Sequence, residues 1–70
     1  MKLREQIGLN IQNIRHSRGL SQEQLALAAN IDRSYVSEIE LAKSSVSVDI
    51  LEQIALALEV DPQELFNKRG

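Results

Sequence analysis

Residues 21 to 40 constrain the fold more than any other stretch, because they spell two short helices, each with its own start signal, separated by a turn only a few residues long. Ser21 followed three residues on by Gln24 is a capping box, the hydroxyl accepting the Gln24 backbone N–H while the Gln24 side chain reaches back. One helix therefore starts at Ser21. Leu25, Ala26 and Ala29 recur at helical spacing on one face, and Asn30 tolerates the left-handed backbone that ends a helix. A second helix starts from Asp32, whose carboxylate suits both the cap and the positive end of the helix dipole. Val36 and Ile39 continue the buried face, which leaves Arg33, Ser34, Ser37 and Glu38 outward.

This is a helix-turn-helix pattern, and its expected ligand is duplex DNA. The major groove of B-DNA is about 12 Å wide and admits one helix, whose first turn meets the base edges. Arg33 and Ser34 occupy that turn. The planar donors of arginine match guanine O6 and N7, a pairing that discriminates by roughly 1–3 kcal/mol against a wrong base. Ser34 and Ser37 are able to read donors or acceptors. Glu38 has two readings of equal weight: a carboxylate accepts from cytosine N4, yet phosphates repel it.

The remaining chain reads as helices as well. Leu3, Ile7, Ile11 and Ile14 alternate four- and three-residue steps, predicting a first helix from about residue 3 to 17 that ends near Gly19, with Leu20 packing across the joint. Gly8 inside it costs roughly 1 kcal/mol relative to Ala and signals close approach by another helix. Residues 43 to 47 form a polar connection. A fourth helix begins near Ser47 with Leu51, Ile54, Ala55 and Leu58 inward. Asp61-Pro62-Gln63-Glu64 combines a capping Asp, a Pro at the first helical position and a Glu three residues after the cap, and predicts a short fifth helix carrying Leu65 and Phe66. Residues 67 to 70 read as a frayed tail. The expected architecture is all-α: one domain over residues 1–70, a compact bundle of five short helices with the motif in helices 2 and 3.

Seventy residues support one core, which at this size supplies about 3–5 kcal/mol without staples or association. A homodimer is expected on those grounds. The chain lacks cysteine, which removes disulfides and thiolate metal sites, and no cofactor or metal site is expected. Charge arrives too early after Met1 for a signal peptide, and no apolar run approaches the roughly 20 residues that span a bilayer, so a cytoplasmic protein with no membrane partner is expected. The net charge of −2 opposes DNA binding, but it is unevenly spread. Residues 1–43 carry a balance of +1 and residues 44–70 one of −3, so the acid lies mostly in the half that need not face phosphate. An enzyme is not expected. His16 is the single histidine, Gly-rich phosphate loops are missing, and five short helices leave little room for a pocket.

Several separated elements resemble the Cro and repressor family of helix-turn-helix proteins, also called the XRE family: Gly8 with Asn10-Ile11 and Ile14-Arg15, then Gly19-Leu20-Ser21-Gln22-Glu23-Gln24-Leu25-Ala26, then Ile39-Glu40, Leu51, Ile54-Ala55, Ala57-Leu58, Val60 and Glu64-Leu65-Phe66. Asp32-Arg33-Ser34-Tyr35-Val36-Ser37 with Val46-Ser47-Val48 is similar to the controller proteins of restriction-modification systems. The resemblance implies a lambda-repressor-like fold of five helices and a homodimer on a palindromic operator. It implies base reading at Arg33 and Ser34, and a Gln22 that spans from phosphate toward the recognition helix, against a plain exposed helix starter. It places Arg15 opposite Glu40 in a structural ion pair, and Lys43, Ser44 and Ser45 in a loop along the phosphate backbone. Tyr35 either reaches the backbone through its hydroxyl or packs its ring against helix 4. Arg18 is either a phosphate contact or a solvated charge at a helix end. A dimer surface is expected on helices 4 and 5, with Val60, Leu65 and Phe66 as candidates that alternatively close the protomer core. Glu23 is the candidate contact for RNA polymerase, although its place in the first helical turn explains it equally well.

Departures from the family pattern also carry information. Leu41-Ala42 replaces a polar residue and a glycine, Glu59 stands where glycine is usual, and Leu9, Leu27 and Leu56 occupy positions that are typically polar. Scattered surface leucines need no explanation. With the acidic net charge, they nevertheless define the rival reading, a protein-interaction module such as an antitoxin on the same scaffold.

Overall fold

A computed structural model describes residues 2–68. Among them are four α-helices, α1 (Leu3–Ser17), α2 (Gln22–Ala29), α3 (Arg33–Glu40) and α4 (Val48–Leu58), followed by a single 3-10 helix (Pro62–Phe66). The expected fifth α-helix is therefore corrected to a 3-10 turn. Asp61 does cap it, its Oδ1 accepting the Gln63 N–H at 2.9 Å, but the segment has five residues and opens on Pro62. With no N–H on the proline and so few residues, the tighter three-residue ladder is the one that closes, as the Glu64 N–H to Asp61 carbonyl bond of 2.9 Å illustrates.

The helix ends follow local chemistry. At α2 the Ser21 hydroxyl accepts the Gln24 N–H at 3.0 Å and the Gln24 side chain accepts the Ser21 N–H at 2.8 Å. Asn30 leaves the helix at φ 59°, ψ 46°. Ser47 caps α4 through the Ile50 N–H at 3.1 Å. Asp32 sits at the N-cap of α3 with extended backbone, but its side chain makes no capping hydrogen bond.

Ile7, Ile11 and Ile14 of α1 meet Leu25, Ala26 and Ala29 of α2, Val36 and Ile39 of α3, and Leu51, Ile54, Ala55 and Leu58 of α4 in one core closed by Leu65. Leu3 is in phase with that stripe but 58% exposed, so the α1 face is buried only from Ile7 onward. Leu65, a candidate dimer residue, is fully buried and closes the protomer instead. The segment after it is not frayed throughout. Buried Asn10 donates its Nδ2 to the carbonyls of Leu65 (2.9 Å) and Asn67 (2.7 Å), and Gln6 donates to that of Phe66 at 2.6 Å. Arg69 and Gly70, the last two residues of the expected tail, lie outside the described residues.

Gly8 fixes how α1 crosses α3. A Cβ there would run into the Ile39 backbone carbonyl oxygen and lie 2.9 Å from that of Glu40. Only glycine lets the α1 backbone lie directly on the last turn of α3.

Candidate nucleic-acid interface

The close crossing at Gly8 brings Arg15, two turns further along α1, to the end of α3. Arg15 donates through Nε to Glu40 Oε2 at 2.7 Å and through Nη2 to Oε1 at 3.0 Å, while Nη1 donates to the Leu20 carbonyl at 2.8 Å. Gln22, the first residue of α2, adds its Nε2 to Glu40 Oε1 at 3.0 Å. Glu40 thus collects donors from α1 and α2 at the last position of α3. The Arg15 and Glu40 side chains are 8% and 2% exposed, so the two charges are largely removed from water and compensate one another in the paired, two-pronged geometry that burial requires. In this arrangement Gln22 is committed to Glu40 rather than presented as an exposed helix starter. The roles of Asn10 and Gln6 were not anticipated from sequence, and for Gln22 the reach toward α3 was expected but Glu40 as its acceptor was not. For Asn10 the signal was present, since it lies three residues after Ile7 on the apolar face.

The opposite end of α3 differs. Val36 and Ile39 face the core, while Arg33, Ser34 and Glu38 are exposed and Ser37 is half-buried. Positions 33, 34, 37 and 38 share one side of the helix, as the 3.6-residue period requires. Among the described residues, no hydrogen bond or ion pair engages the side chain of Arg33, Ser34 or Ser37. The turn before them is held by the Ile31 N–H to Ala26 carbonyl bond of 2.9 Å. It presents a first helical turn in which Arg33 and Ser34 are exposed, with none of the described residues covering them.

The connection after α3 folds back on the helix. Ala42 takes φ 60°, and the Lys43 N–H reaches the Glu38 carbonyl at 2.9 Å. Ser44, expected along phosphate, donates its hydroxyl to Glu38 Oε1 at 2.8 Å. The Tyr35 ring packs against the core and its hydroxyl donates to the Ser45 carbonyl at 3.3 Å. Lys43 remains exposed. Arg18 stands exposed at the C-terminal end of α1, as a helix-end charge. Its Nη2 donates to the Glu59 carbonyl at 3.3 Å and its Nη1 lies 3.8 Å from the Glu59 carboxylate, at the junction of α1 with the end of α4. Of the remaining dimer candidates, Val60 is half-buried and Phe66 is 40% exposed. Among the described residues, no group of three His, Cys, Asp or Glu is placed to hold a metal, and no helix is long and apolar enough to cross a membrane.

A family model described as Helix-turn-helix matches residues 11–65. The chain belongs to that family. It is 39% identical over 61 residues to the control protein C.BamHI of Bacillus amyloliquefaciens, covering 86% of this chain and 75% of the relative. It is 30% identical over 70 residues to the control protein C.SmaI of Serratia marcescens, covering 100% and 83% of the two chains. Among solved structures, the restriction-modification controller protein C.AhdI of Aeromonas hydrophila superposes with a TM-score of 0.88 at 38% identity, over 90% of this chain and 96% of that one. The all-α architecture and the family resemblance drawn from the motifs agree with these findings, with the last helix in 3-10 form. The segment that carries the match includes α2, the turn and α3 entire.

Proposed function

We propose that this chain is a sequence-specific regulator of transcription that binds duplex DNA as a homodimer on a two-fold symmetric operator, in the manner of a restriction-modification controller acting in the cytoplasm. The observation that carries the reading is the uncovered first turn of α3, where Arg33 and Ser34 stand exposed on a helix held rigid from behind. Arg33 reads guanine, Ser34 and Ser37 adapt to the neighbouring bases, and Glu38 accepts from an amino group. Lys43 contacts phosphate, with Ser45 and the Tyr35 hydroxyl, each already anchored in the α3–α4 connection, beside it. Gln22 reaches phosphate only through its free amide valences. The kinship with proteins named as restriction-modification controllers supports the regulatory part of the reading.

The dimer contact lies on the outer side of α4 and the 3-10 helix, through Phe66 and Val60, because a two-fold there leaves both α3 helices free to enter successive major grooves about 34–36 Å apart. Glu23, exposed in the first turn of α2, is the candidate contact for RNA polymerase. Activated transcription that survives Glu23→Gln removes that role.

The protein-interaction reading has, beside the acidic net charge, a structural observation in its favour: Leu27 and Leu56 are 76% and 74% exposed. Selection of the purified protein against a randomised duplex pool at physiological salt separates the two. Enrichment of a two-fold symmetric site with half-sites one helical turn apart is the expected result, and weak, salt-sensitive binding without enrichment overturns it.

A further inference from the structure

Glu38 presents a problem of electrostatics. It is an exposed carboxylate on the same side of α3 as Arg33, and a negative charge approaching DNA is repelled by phosphate. A mobile glutamate would swing into solvent. In this chain it is fastened: the Ser44 hydroxyl donates to Oε1 at 2.8 Å, and the backbone that carries Ser44 is turned back over α3 by Ala42 at φ 60° and by the Lys43 N–H bonded to the Glu38 carbonyl at 2.9 Å. Helix, turn and hydroxyl together hold one side-chain conformer, with Oε2 carrying no protein hydrogen bond among the described residues.

We propose that Ser44 is a positioning residue for Glu38, and that the Glu38 carboxylate so held selects cytosine at one position of each half-site. The inference rests on the DNA-binding reading above. An ionised carboxylate only accepts hydrogen bonds. In the major groove, guanine presents two acceptors and thymine an acceptor and a methyl group, and both disfavour it. Adenine offers an amino group beside the N7 acceptor, whereas cytosine offers the amino group alone. The hydrogen-bonded conformer restricts rotamer freedom before binding, so the single bond to cytosine N4 is formed with a smaller ordering penalty at that moment. Selectivity also gains from exclusion, since a carboxylate that cannot retreat makes the wrong base repulsive.

The test is pool selection followed by binding titrations of single-position operator variants for the wild-type chain, Ser44→Ala, Ser44→Thr, Glu38→Gln and the double variant. Ser44→Ala is expected to lower the cytosine preference at one position per half-site by about tenfold while other positions hold, Ser44→Thr to restore it, and Glu38→Gln to abolish it. Ser44→Ala added to Glu38→Gln should change nothing further, because a positioning residue acts only through what it positions. A uniform loss of affinity for every operator in Ser44→Ala that persists in the Glu38→Gln background overturns the proposal and makes Ser44 a phosphate contact. An unchanged base preference in Ser44→Ala overturns it too. A wild-type chain that enriches no sequence fails earlier, at the DNA-binding reading itself, and takes this inference with it.

Discussion

The two ends of α3 are built from the same kinds of residue and treated in opposite ways. Glu40 at its last position is buried and accepts three hydrogen bonds from Arg15 and Gln22, whereas Arg33 at its first position is exposed. A buried charge without partners is costly enough to be avoided, so the Glu40 end is saturated and serves rigidity. An exposed arginine is stable without partners and stays available. The difference separates a charge that holds the helix in place from one that waits for a ligand, and neither residue type nor sequence spacing makes that distinction alone.

The sharpest way to break the comparison is at the saturated end. Glu40→Ala leaves the Arg15 guanidinium buried without its counter-charge and should destabilise the fold by about 3–5 kcal/mol, read from urea unfolding. A loss below 1 kcal/mol would mean that Arg15 finds water. Gly8→Ala attacks the same junction through the backbone. Its methyl meets the Ile39 carbonyl, so α1 must lift from α3, and a thermal melt should register a cost of about 1–3 kcal/mol.

At the open end the expectation reverses. Arg33→Ala should weaken operator binding by roughly 1–3 kcal/mol and relax one base position in each half-site. Its unfolding midpoint should move by no more than about 0.5 kcal/mol in equivalent stability. The smallest effects come from the left-handed positions that lack glycine. Ala42 and Glu59 both sit at φ 60°, so Ala42→Gly and Glu59→Gly should each stabilise by about 0.5–1 kcal/mol in chemical denaturation, relief of backbone strain outweighing the extra freedom of the unfolded chain. The Arg18 pair to Glu59 is exposed and weakens that gain little.

What sequence made legible was local. Ser21, Asn30 and Ser47 set helix ends through bonds to backbone within a few residues, and those ends fall where the caps place them. In sequence Ala42 and Glu59 mark only departures from usual glycines, and the left-handed backbone both adopt emerges from the structure. Gly8 also declared itself, since a glycine at a core-facing helix position has few other uses. Partner choice was less legible. Gln22 and Glu40 are 18 residues apart, and which acceptor a surface-looking glutamine takes depends on how α2 docks against α3. Ser44 carries no mark in sequence that distinguishes a phosphate contact from a ligand of Glu38. Leu3 and Leu65 mark the limits of periodicity: the first is in phase but beyond the packed surface, and the second has no helical repeat around it yet closes the core. Asp61 and Pro62 announced a helix start without announcing that only five residues would follow.

The division of labour along α3 is tested most directly by measuring operator affinity and urea midpoint together for Arg33→Ala and Glu40→Gln. The account predicts that Arg33→Ala loses affinity with an unchanged midpoint, and that Glu40→Gln loses stability while its folded fraction keeps its base preferences. A midpoint for Arg33→Ala as low as that of Glu40→Gln, or an altered base preference in a fully stable Glu40→Gln, would contradict it.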